Sequence, residues 1–161
     1  MDGWAEFTVI AGGAAGALVG LLFVAVSIRA DAIARSRELR SRLAQTLTIF
    51  LGILCASILV SLPNPELWML GVELIVAALL MGAAFISLEH RAKGGDATRS
   101  RLGAFLDHFS PNVTTAVLIG ASGVVLLFGL PVGLFLLAVA TLIGFVGGVV
   151  GAWLVLVRPE G

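Results

Sequence analysis

The sequence predicts an all-α fold: a polytopic transmembrane helical bundle of five spans, with the N-terminus outside and the C-terminus in the cytoplasm. Three observations carry that prediction. Of the 161 residues, 59% are hydrophobic and only 12% charged, about half the charged share of a soluble domain, and the mean hydropathy is +1.09. Apolar blocks of span length recur along the chain, and a hydrocarbon core roughly 30 Å thick takes about 20 helical residues to cross. All ten Lys and Arg residues fall on one side of the spans so defined. The same composition excludes a disordered, collagenous or charged nucleic-acid-binding chain. The single Cys55 excludes an internal disulfide framework and a Cys-based zinc cluster.

The first span, about 7–28, lies between Glu6 and Arg29; its acidic flank and full length set it apart from a cleavable signal peptide. The second, about 43–62, lies between Arg42 and Pro63. The third, about 67–88, lies between Glu66 and Glu89 and is interrupted only by Glu73. From Phe109 to Val157 no side chain is ionisable, and at about 1.5 Å per residue that run is more than twice the membrane thickness, so it must turn back. Gly129-Leu130-Pro131-Val132-Gly133 supplies the turn, because Gly suits a helix C-terminus and Pro cannot continue one. The result is two spans, about 111–130 and 132–157, with Ser110-Pro111 as N-cap and first residue of the former.

Charge placement tests this count, since basic residues in short loops stay cytoplasmic. Arg29, Arg35, Arg37, Arg40 and Arg42 follow the first span, Arg91, Lys93, Arg99 and Arg101 the third, and Arg158 the fifth, whereas Asp2, Glu6 and Glu66 are the charges of the opposite side. Trp4 and Trp68 fall at the predicted outer boundary and Trp153 near the inner one, where indole rings favour headgroups.

The outer connections are too short for a binding domain; the cytoplasmic ones, 29–42 and about 89–110, form the main soluble surface. Segment 29–42 has neither Gly nor Pro and is expected to be helical, extending the flanking spans. Its five Arg residues are candidates for anionic lipid headgroups, or simply solvated determinants of topology. At about 97–109, Leu102, Phe105, Leu106 and Phe109 recur at helical spacing, which reads as an amphipathic helix in the interface or a dock for a cytoplasmic partner.

Gly12, Gly16 and Gly20 repeat every four residues in the first span, and Gly144 with Gly148 and Gly147 with Gly151 repeat the pattern in the last. Small residues at this spacing let helix backbones approach closely, within one subunit or between subunits. The stretch GGAAGALVGLLFVAVSI, Gly12 to Ile28, resembles the first helix of a loose group of small, uncharacterised bacterial integral membrane proteins that opens with a Gly/Ala-rich span reading G-L-L-F-V-A-x-S-I. That resemblance implies a membrane-embedded helix and assigns no activity or functional residue.

Glu73 is the single ionisable group inside a span, a default candidate for an ion or proton site. It shares a face with Ala77, Leu80, Ala84 and Ser87, while Trp68, Val72, Ile75, Leu79 and Ile86 form a bulkier face suited to lipid, so it is expected to face the bundle. Gly120-Ala121-Ser122-Gly123 resembles the G-x-S-G nucleophile motif of rhomboid intramembrane proteases, but a serine nucleophile needs a base within reach. His90 and His108 both lie in the cytoplasmic connector, and five spans do not match the six-helix rhomboid core. Glu89-His90 and Asp107-His108 read as solvated pairs, because a structural zinc site wants four convergent ligands. No phosphate-binding glycine loop, metalloprotease helix motif or dinucleotide fingerprint occurs.

These readings lead to a bacterial inner-membrane protein, not an enzyme, without cofactor or metal. It is expected to act by helix–helix association as a homo-oligomer or accessory subunit, its partners being the lipid bilayer, a second copy or another membrane protein, and not nucleic acid. The competing reading is a channel or a proton- or cation-coupled transporter that uses Glu73. Against a carrier, an odd number of spans does not divide into two equal inverted repeats.

Overall fold

The computed structural model describes residues 2–62, 66–92 and 111–157. The described residues form six helices: α1 (Asp2–Ile28), α2 (Ala30–Arg35), α3 (Arg37–Val60), α4 (Leu67–Ala92), α5 (Pro111–Leu127) and α6 (Val132–Val157). Four of them, α1, α3, α4 and α6, are long and apolar enough to cross a membrane, which is the build of a multi-pass membrane protein. α5 is apolar but has 17 residues, about 25 Å of rise.

The five long helices alternate in direction. Thr8 on α1 meets Ser61 just past α3, Gly52 on α3 meets Met81 on α4, and Gly71 on α4 meets Gly123 on α5. α5 and α6 are joined by a tight turn in which Gly129, at φ +74°, adopts the left-handed conformation that Gly accommodates without strain. α6 returns antiparallel to α3, with Gly144 against Ile53 and Gly151 near Thr46. One end of the bundle therefore gathers Trp4 and Phe135, whose rings meet edge to face at 5.1 Å. The other end carries the arginines of segment 29–42.

α3 is the central post. Ile49, Phe50 and Ile53 on α3 pack with Leu70 and Leu74 of α4, Ile119 and Leu126 of α5, and Leu134 and Leu137 of α6, all buried. α1 leans on α3 from outside: 17% of its apolar window is buried, against 44% for α3. Outward-facing Val9, Leu79 and Leu142 are all more than 60% exposed, as lipid-facing side chains are.

Several element boundaries differ from the sequence expectation, and α4 runs on to Ala92, past the expected 88. α1 begins at Asp2 rather than near residue 7, because no helix breaker separates the acidic flank from the apolar run. Segment 29–42 is helical as expected except at Arg29 (φ −111°, ψ 26°), which separates α1 from α2, and at Ser36, whose extended backbone (φ −114°, ψ 114°) separates α2 from α3. The Ser36 hydroxyl accepts the Leu39 amide at 3.3 Å, so α3 starts at an N-cap, and the chain reverses between Arg29 and Ser36 without a Gly or Pro. α5 stops at Leu127 and α3 at Val60, each two or three residues short of the expected 130 and 62. The expected interfacial helix at 97–109, the Ser110 cap, His108 and Arg158 lie outside the described residues.

Candidate association surface

The four-residue glycine repeat of α1 does not stay on one face. At 3.6 residues per turn each step of four advances about 40° around the axis, so Gly12, Gly16 and Gly20 rotate from the α3 contact to the outside. A β-carbon on Gly12 would lie 3.2 Å from the Ser57 β-carbon of α3, whereas one on Gly13, Gly16 or Gly20 would meet nothing within 4 Å. With exposed Ala17 they form a shallow, smooth strip on the free side of α1, bordered by Ile10 and Val24, 71% and 57% exposed. The opposite side of the helix, Thr8, Ala11, Ala15 and Leu22, is buried.

The glycines of α6 have the other fate. Added β-carbons would lie 2.9 Å from Thr115 Cγ2 at Gly144, 2.6 Å from the Phe50 ring at Gly148 and 3.5 Å from Thr46 Oγ1 at Gly151. Gly144, Gly148 and Gly151 thus pack within the chain, mainly against α3, and Gly147 beside them is partly buried. One sequence pattern therefore serves two arrangements: filled on α6, open on α1.

A close backbone approach between α4 and α5 involves residues the glycine periodicity does not single out. A β-carbon on Gly71 would stand 2.7 Å from the Gly123 carbonyl oxygen, and one on Gly123 would stand 2.7 Å from the Gly71 carbonyl oxygen. Each of the two helices holds two glycines, Gly71 and Gly82 on α4 and Gly120 and Gly123 on α5, and which of them meet is legible only once α4 and α5 are known to be neighbours. Within the same Gly120–Gly123 stretch, the fully buried Ser122 donates its hydroxyl to the Gly133 carbonyl of α6 at 2.7 Å. The nucleophile-like motif is thus built into helix packing, with Ser122 engaged across the α5–α6 turn.

Polar clasps hold each end of the bundle. The Ser61 hydroxyl lies 2.9 Å from Thr8 Oγ1 and 2.8 Å from the Ser57 carbonyl, joining α3 to α1. At the arginine end Ser41 donates to the Leu88 carbonyl at 3.2 Å, and Asn112 Nδ2 donates to Gln45 Oε1 at 3.1 Å. Trp68 Nε1 donates to the Glu66 carboxylate at the opposite end.

Glu73 is partly buried on α4, on the flank that also carries partly buried Ala77 and Ala84, but Leu80 on that flank is 68% exposed. It sits at the rim of the bundle rather than in its core. The bulkier α4 face is exposed at Trp68, Val72, Leu79 and Ile86, while Ile75 turns to α5, beside Gly123. Arg29 is partly buried; Arg35, Arg37, Arg40 and Arg42 are exposed. Among the described residues no group of three or more His, Cys, Asp and Glu converges to hold a metal ion.

No protein-family model, curated protein or solved structure matches the chain.

Proposed function

We propose that the protein is a five-span bacterial inner-membrane protein that works through helix–helix association, as a homo-oligomer or as an accessory subunit, using the open glycine strip of α1. The observation that carries this reading is the contrast between two similar patterns. Gly144 and Gly148 are covered within the chain, and Gly16 and Gly20 are left with nothing within 4 Å. In lipid the hydrophobic effect does not draw helices together; close backbone packing at small residues does, and α1 presents such a surface uncovered.

Five crossings are supported by the strict alternation of direction and by the length of α5, whose 17 residues sit at the lower end of the spanning range of about 17–25. With the arginines of 29–42 in the cytoplasm, the N-terminus lies outside. The resemblance of the first helix to small bacterial membrane proteins fits this placement.

The test is Gly16→Leu. The wild-type protein is expected to run as an oligomer or mixed complex in mild detergent or bilayers, and the substitution to release a folded monomer. A monomer of unchanged size before and after the substitution contradicts the proposal.

A further inference from the structure

Beside the α1–α3 contact, toward the arginine end, runs an apolar groove of about 320 Å³. Leu22 and Phe23 of α1, Ile33 of α2 and Leu43 and Leu47 of α3 line it, with one charged residue, Arg40. Leu22 and Leu43 are buried and form its floor, Ile33 packs against them, and Phe23 is 57% exposed as an outer wall. Arg40 precedes Leu47 by seven residues on the same helix, so the groove extends about 10 Å along α3 from the level of Arg40 toward the middle of the membrane.

That is the layout of a phospholipid: an oily slot at hydrocarbon depth ending in a cation at headgroup depth. We propose that this groove binds one acyl chain of an anionic phospholipid whose phosphodiester sits on Arg40. Charge complementarity selects the occupant. Segment 29–42 carries five Arg against Asp31 and Glu38, which draws anionic lipid to this end of the protein. A guanidinium suits phosphate because its fork can make two parallel hydrogen bonds. Arg35 and Arg37 are exposed and belong to the same basic segment but do not line the groove, so the site distinguishes Arg40 from the general positive field. Ile33 of α2 packs against Leu22 and Leu43 and lines the groove three residues before the Ser36 break. This inference rests on the membrane placement and not on association through α1.

The test measures lipid retention by native mass spectrometry of the full chain, titrated with palmitoyl-oleoyl phosphatidylglycerol or the matching phosphatidylcholine. The wild type is expected to hold one phosphatidylglycerol in preference to phosphatidylcholine. Arg40→Gln is expected to weaken phosphatidylglycerol binding about fivefold, the effect of one basic residue at an anionic surface, with Arg35→Gln and Arg37→Gln within twofold of wild type. Ala44 also lines the groove, and Ala44→Phe, which places a ring there and leaves every Arg in place, is expected to reduce retention of the same lipid. Equal losses for the three Arg variants, or no preference for the anionic lipid, overturn the proposal. Should Ala44→Phe fail to fold, the Arg comparison decides alone. Loss of the lipid preference with an intact oligomer refutes this site only, and a monomer that keeps the lipid refutes association only.

Discussion

The carbonyl oxygens of Gly71 and Gly123 each occupy the space a β-carbon on the other would need, at 2.7 Å. This reciprocal fit sets the spacing of α4 and α5, and no flexible group lies between them to yield. Gly71→Ala should therefore cost about 1–3 kcal/mol, as overpacking does. Gly52→Ala is a useful contrast, because its new β-carbon would meet only the side chain of Met81, and an unbranched thioether readily changes rotamer. Unfolding titrations in mixed micelles should rank Gly71→Ala as clearly the more damaging; equal losses would show that the α4–α5 approach is looser than described.

Ser122 is committed to the Gly133 carbonyl. Ser122→Ala should lower stability by about 0.6 kcal/mol, and by no more than about 1.7, the range for hydrogen bonds between membrane helices. A serine-directed fluorophosphonate should leave the wild type unlabelled. Labelling that disappears in Ser122→Ala would restore the nucleophile reading.

Glu73 lies at the bundle rim, and the groove ending at Arg40 does not include it. If association is the role, Glu73→Gln should leave proton and cation flux through proteoliposomes at the background of empty vesicles, as should the wild type. Flux in the wild type that the substitution abolishes would favour the transport reading over association.

Much of the architecture was legible because the membrane imposes it. Charge-free lengths located the helices, and the last one, Val132–Val157, agrees with its expected bounds because Pro131 allows only one start. The reversal between α1 and α3 was harder to read: it uses no Gly or Pro but breaks at Arg29 and Ser36, and a serine that caps a helix resembles any other serine in a helical segment. The glycines were legible as packing residues but not by partner. Periodicity alone cannot tell Gly148, which meets Phe50, from Gly20, which meets nothing; that depends on which helices become neighbours. Gly71 and Gly123 were not legible as a packing pair for the same reason, and the groove ending at Arg40 exists only once α1, α2 and α3 are assembled.

The most direct test of the account is disulfide cross-linking along α1 in native membranes, with single cysteines from residue 8 to residue 24 in a Cys55→Ala background. Cross-linked dimers are expected to peak at Gly13, Gly16, Ala17 and Gly20 and to be weak at Ala11, Ala15 and Leu22, which the structure buries against the rest of the chain. Strong cross-linking at Ala11 and Ala15, or none at any position while a complex with another protein is also absent, would contradict an open glycine face as the working surface of the protein.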